Sequence, residues 1–186
     1  MNNTIAIIQA RMNSTRLPGK VLLDLGNKKI LDHVYERVRL SKFVNKIVIA
    51  ITNNIEDDVL DQYCKDKKYE VFRGSENDVL GRYYHCAKKF KATRVVRITA
   101  DCPLIDPDLI DELIVLHNKG DLDYVSNTIE PSYPDGLDAE VISFSALKGA
   151  FLEASSSHDR EHVTPYIKKN TMIKKVNLKY TIDYSH

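Results

Sequence analysis

The feature that most limits the fold is an alternation. From Thr4 to Ser126, short apolar runs rich in β-branched residues alternate with amphipathic stretches of helical period. Thr4 to Gln9, Lys46 to Thr52, Glu70 to Phe72, Arg94 to Thr99 and Asp123 to Ser126 read as strands. Ile30 to Leu40, Asn54 to Lys67, Asn77 to Phe90 and Asp106 to Asn118 read as helices between them. Asp106-Pro107 is a strong helix start, a capping carboxylate followed by proline at the first position, and Lys119-Gly120 ends that helix. Strand and helix in strict succession predict an α/β fold: a mainly parallel central sheet with helices on both faces.

Beyond Thr128 the rhythm changes. A turn-rich loop with two prolines precedes a strand at Asp138 to Ile142 and a helix at Phe144 to Ala154, capped by Ser143. His158 to Lys169 reads as a helix that Pro165 kinks or restarts. Met172 to Asn177 and Tyr180 to Ile182 read as closing strands. A chain of 186 residues without internal repeats fits one domain, 1–186. Its formal net charge of +1 supplies no global field for nucleic acid or membrane. No run approaches the roughly 18 apolar residues of a membrane span. The opening MNNTIAIIQAR lacks the basic start of a signal peptide. The 3 cysteines show no CxxC spacing, which suits free thiols in a reducing cytoplasm.

Any anion binding must then be local, and Gln9 to Lys20, QARMNSTRLPGK, is the place for it. Arg11, Arg16 and Lys20 surround the small hydrogen-bonding residues Asn13, Ser14 and Thr15, and Pro18-Gly19 punctuates the end. A loop leaving a strand can turn several N–H groups towards one point, and with fixed cations its natural guest is a polyanion such as a triphosphate. On spacing alone, a solvated basic loop is an equal reading. GxxxxGK[ST] and GxGxxG are both absent, which turns the argument from P-loop kinases and dinucleotide-dependent dehydrogenases. GxSxG and HExxH are absent too, so serine hydrolysis and zinc proteolysis gain no support. In RVVRITADCPLIDP an apolar strand runs into Asp101, where a carboxylate can hold Mg²⁺ or cap the turn before Pro103.

The wording IIQARMNSTRLPGKVLLDLGNKKILDHVYERV resembles the opening of the cytidylyltransferases that activate sugar acids, such as CMP-Kdo synthetase and acylneuraminate cytidylyltransferase. The likeness is nearest to the spore-coat polysaccharide biosynthesis branch, through RITADCPLIDP, YPDGLDAE and DREHVTPYI. It implies a nucleotide-diphospho-sugar transferase architecture, CTP as donor, Mg²⁺ as cofactor, a sugar or sugar acid as acceptor, and release of pyrophosphate. It also implies a cytoplasmic enzyme that pairs as a homodimer. By resemblance, Arg11, Asn13, Ser14, Thr15, Arg16 and Lys20 hold the triphosphate, and Arg73 and Ser75 lie near the base and ribose. Arg16, Lys20 and Asp101 would act on the reacting phosphates, with Asp101 and Asp183 as the metal aspartates. Asp135, Asp138, Glu140, Arg160, Glu161 and His162 would line the acceptor pocket, His162 being a candidate general base. In the resembling family the last aspartate precedes a further helix, which is expected to be missing here, after Asp183-Tyr184-Ser185-His186. Two rivals remain: a nucleotide-sugar-dependent glycosyltransferase of similar fold, and an inactive nucleotide-binding or assembly module. The first typically carries DxD, whereas this strand end reads Asp101-Cys102-Pro103.

Overall fold

The computed structural model describes residues 3–185. The elements follow in chain order: β1 (Thr4–Gln9), β2 (Asp24–Leu25), β3 (Lys28–Lys29), α1 (Ile30–Val38), β4 (Lys46–Thr52), α2 (Asp58–Asp66), β5 (Val71–Gly74) and α3 (Val79–Lys89). Then come β6 (Arg94–Thr99), α4 (Pro107–Lys119), β7 (Tyr124–Ser126), β8 (Glu140–Ser143), α5 (Phe144–Glu153), α6 (Ser157–His162), α7 (Pro165–Lys169) and β9 (Lys175–Asn177). Seven strands form one sheet in the order β5-β4-β1-β6-β8-β7-β9. The β5, β4, β1 and β6 neighbours are parallel, as the alternation predicts. β8 lies antiparallel between β6 and β7, and β9 joins β7 in parallel.

The period of two along each strand divides the core. Ala6, Ile8, Ile49, Val96 and Ile98 meet Leu31, Val34, Leu60, Leu109 and Leu113 on one face. Ile5, Ile7, Val48, Val95 and Ile142 meet Leu80, Tyr83, Leu147 and Ile167 on the other. A side chain of this size contributes about 1.5–3 kcal/mol when fully buried. The same alternation that puts Ile5, Ile7 and Val95 in the second face carries Gln9, Arg97 and Thr99 onto it at the strands' carboxyl ends.

Three points bear on the expectations. First, Pro165 restarts the His158–Lys169 helix as expected, giving two short helices, α6 and α7. At the joint, Val163 has φ 72°, ψ −54°, and the Thr164 N–H donates to the His162 carbonyl at 2.8 Å. This is a strained γ-turn, a rare conformation for a β-branched residue. Second, Tyr180 to Ile182 is not a strand. The Tyr180 N–H is taken by Ser132 Oγ at 2.8 Å and the Tyr184 N–H by the Ser132 carbonyl at 3.0 Å, so the tail bonds to a loop instead of a ladder. Third, the hairpin of β2 and β3 was not anticipated; it turns at Gly26, φ 65°.

At the amino end of β6, Arg94 Nε donates to His117 Nδ1 at 3.2 Å. Burial, and then the Arg94 charge, depresses the His117 pKa from 6.5 to about 4. Between those values the unfolded chain binds the proton and the folded chain does not, so stability falls as pH drops from 6.5 to 4. The loss is about 3 kcal/mol. Urea denaturation across that range should show it, and His117→Gln should flatten the curve.

Candidate active site

The loop after β1 is held at both ends. Asp57, buried, accepts from the Met12 N–H at 2.7 Å and from the Thr52 N–H and hydroxyl at 2.8 and 2.6 Å. The Met12 carbonyl then accepts from the Ser14 and Gly19 N–H groups at 2.9 and 2.8 Å. Gly19 closes this ring at φ 70°, a value costly for a residue with a side chain. A single helical turn, Lys20–Leu22, follows and buries Val21. The backbone is therefore fixed while the cationic side chains remain at the surface of the fold.

Three cavities form a continuous trench along the carboxyl ends of the strands. The first, about 210 Å³, is lined by Gln9, Arg11, Ser14, Thr15, Arg16, Lys20, Thr99 and Asp101. The second, about 460 Å³, shares Arg16, Thr99 and Asp101 with it and adds Cys102, Asp135 and Asp138. The third, about 540 Å³, shares Thr99 and Asp138 and is lined further by Arg97, Glu140, His158, His162, Thr164 and Lys168. Thr99 touches all three. A larger groove, about 890 Å³, runs past Tyr35, Lys68, Tyr69 and Arg73. Neither the 9–20 loop nor Asp101 contributes to its lining.

In the first cavity Lys20 Nζ donates to Asp101 Oδ2. Burial raises the Asp101 pKa, but the Lys20 and Thr99 hydrogen bonds and the Lys20 charge outweigh it and hold the carboxyl below its usual value. Arg11 pairs with Glu76 at 3.9 Å across the mouth, towards the Ser75 turn. Arg16 makes no ion pair among the described residues. Gln9 Oε1 is buried without a donor among them. Thus Arg11, Ser14, Thr15, Arg16 and Lys20 come together as expected, while Asn13 sits outside the lining.

Arg73 does not join them. Its guanidinium donates to the Thr52 and Asn54 carbonyls at 3.1 and 2.8 Å and to Asp58 at 2.6 Å, on the side of the larger groove. Ser75 closes the turn before α3: its Oγ accepts from the Asp78 N–H at 3.1 Å and its carbonyl from Arg82 at 2.6 Å, while Asp78 itself caps the helix, accepting from the Gly81 N–H.

The third cavity is built on Glu140, which is 2% exposed. Its oxygens accept from Arg97 at 2.5 Å, Tyr124 at 2.5 Å and Thr164 at 2.9 Å, with Lys168 at 3.4 Å. Burial pushes its pKa up, but Arg97 and Lys168 prevail and bring it to about 2. Lys168 Nζ also donates to Thr128 at 3.0 Å. Asp138, exposed on the shared wall, is pushed up by desolvation and by Asp135 and Glu140. His162 lies against His158, ring centroids 4.5 Å apart and planes tilted by 51°. Arg160 is committed elsewhere, to the Phe151 carbonyl at 2.7 Å and to Asp78 at 2.8 Å, and Glu161 is exposed on α6. Those two leave the expected acceptor set. Asp183 stands on the tail, its Oδ1 accepting from the Ser185 N–H at 2.9 Å. The described trench lining does not include it.

Arg97, Lys168, Thr164 and Thr99 were missed by sequence reasoning. Arg97 had a signal: a charge inside the apolar run Val95 to Ile98 of β6.

A model of the cytidylyltransferase family matches residues 5–186. The chain belongs to the cytidylyltransferase family. It is 38% identical over 183 residues to the spore coat polysaccharide biosynthesis protein SpsF of Bacillus subtilis, covering 95% of this chain and 74% of that protein. Among solved structures it is similar to a cytidylyltransferase from Leptospira borgpetersenii serovar Hardjo-bovis, TM-score 0.93 and 35% identity, covering 100% of this chain and 79% of that one. It shares its fold with a CMP:2-keto-3-deoxy-manno-octonic acid synthetase complexed with CTP, TM-score 0.74 and 16% identity, covering 96% and 91%. This cytidylyltransferase has no described helix long and apolar enough to cross a membrane.

The buried ion cluster of the enzyme is testable by itself. Glu140→Gln leaves Arg97 and Lys168 without their counter-charge and should cost about 3–5 kcal/mol in urea denaturation.

Proposed function

We propose that the enzyme transfers CMP from CTP to a sugar acid and releases pyrophosphate, for surface polysaccharide biosynthesis in the cytoplasm. The observation that carries this reading is the trench: a cationic loop at one end, Asp101 in the middle and a polar cavity with cations at the other end. Arg11, Arg16 and Lys20 would bind the β- and γ-phosphates and neutralise the charge that develops on the leaving pyrophosphate. Gln9 Oε1 would take a donor from the nucleoside. The family membership supports cytidine as the base.

Mg²⁺ fits the donor set. Asp101 is held ionised beside the Thr99 hydroxyl, and among the described residues there is no cluster of His, Cys, Asp and Glu large enough to hold a metal unaided. A cation that takes one or two carboxylates and completes its shell with phosphate oxygens and water suits that site. When bound there it supplies charge neutralisation at the α-phosphate.

The acceptor reading rests on the third cavity. Arg97 and Lys168 face it above a carboxylate that is buried and fully bonded, so the ligand meets the cations first. Thr99, Thr128 and Thr164 add hydroxyls that suit a polyol. The acceptor oxygen forms its bond to the α-phosphorus as the bond to the bridging oxygen breaks. Asp138 and His162, both on the cavity wall, can take the proton of a hydroxyl acceptor. The homodimer of the resembling enzymes is retained as part of this proposal.

Arg16→Ala should weaken CTP binding about tenfold or more, and cytidine binding hardly at all, in calorimetry. Equal losses for both ligands would refute the phosphate cradle. In turnover, CTP with a panel of acidic sugars should release pyrophosphate, and neutral sugars should not. Release of a nucleoside diphosphate from a nucleotide-sugar would favour the glycosyltransferase reading instead.

A further inference from the structure

Without ligand, the site neutralises itself. Lys20, which the loop offers to phosphate, is bonded to Asp101, the carboxylate suited to Mg²⁺. Arg11 is paired with Glu76. Of the loop's cations, only Arg16 meets an incoming polyanion without a carboxylate at its side. We propose that the Lys20–Asp101 pair is a latch, closed in the nucleotide-free enzyme, that divalent metal and triphosphate open together. The proposal rests on the triphosphate reading of the 9–20 loop and adds to it a coupling between two ligands.

The geometry makes the exchange a side-chain event. The backbone under Lys20 is fixed by the Leu22 N–H to Gly19 carbonyl bond at 2.9 Å and the Leu23 N–H to Lys20 carbonyl bond at 3.1 Å. Only the flexible lysine stem needs to swing. Both partners are partly exposed, with side-chain accessibilities of 21% and 36%, so the pair opens without unpacking the core. In the closed state Asp101 cancels the Lys20 charge and repels phosphate. A cation on Asp101 removes that repulsion and frees Lys20 for the phosphates. Each ligand thereby lowers the cost of opening for the other, and the coupling is reciprocal. Metal-free CTP must break the pair alone.

The latch makes an unusual prediction for Asp101→Asn. Losing a metal ligand should tighten metal-free CTP binding, because Lys20 starts free. Charge repulsion alone also predicts some tightening, so the decisive variable is Lys20. Calorimetric titration with CTP in EDTA, and again with Mg²⁺, would be done on wild type, D101N, K20Q and the double variant. In EDTA, D101N should bind about tenfold tighter than wild type, and in the K20Q background D101N should give clearly less. Mg²⁺ should strengthen wild-type binding by a larger factor than D101N binding. The same factor for D101N in both backgrounds, or no tightening, overturns the latch while leaving the nucleotide site standing. Failure of wild type to bind CTP even with Mg²⁺ overturns the triphosphate reading, and the latch with it.

Discussion

Glu140 is the constraint on which the second half of the molecule depends. It lies on the antiparallel strand β8, and its oxygens collect Arg97 from β6, Tyr124 from β7, Thr164 from the strained turn and Lys168 from α7. An ionised carboxylate that is 2% exposed persists only with such partners. The γ-turn at Val163 follows from the same demand. It costs strain, yet it brings the Thr164 hydroxyl to Glu140 at 2.9 Å and starts α7, which carries Lys168. Packing of Val163 and Ile167 against the sheet offsets the strain. The floor of the third cavity is thus fixed before any ligand arrives.

The first half solves a different problem with similar means. A cationic loop must stay open to ligand and still be held in place. Asp57, also buried, ties the Met12 N–H to the end of β4, and the Met12 carbonyl closes the ring at Gly19. Backbone order is supplied from below, so Arg11, Arg16 and Lys20 keep their side-chain freedom. The paired carboxylates Asp101 and Glu76 then keep this cluster from being a set of unbalanced charges in the empty enzyme.

The parallel half of the fold was legible because its signals are local. The runs at Thr4–Gln9, Lys46–Thr52 and Arg94–Thr99 coincide with the observed strands, since a strand buried on both faces is predominantly apolar, with Arg94 and Arg97 the charged exceptions on β6. The second half was harder to place. The position of β8 between β6 and β7 is set by long-range pairing and leaves no local trace. The loop cations and Asp101 were readable as a group. Arg73 and Arg160 were not separable from ligand-binding arginines by type, because what commits them is a set of carbonyls and carboxylates distant in sequence. Asp57 lies in the Asn54–Lys67 stretch that reads as a helix, and its bond to Met12 spans 45 positions. Buried polar nodes of this kind become visible only when the strands are aligned.

The most direct test of the trench is a crystal structure of the enzyme with CTP and Mg²⁺. The account predicts the β- and γ-phosphates on Arg11, Arg16 and Lys20, Lys20 released from Asp101, and the α-phosphate between Asp101 and the Arg97–Lys168 cavity. A nucleotide lodged in the groove beside Tyr35 and Tyr69, or phosphates seated on Arg97 and Lys168 with the loop empty, would contradict it.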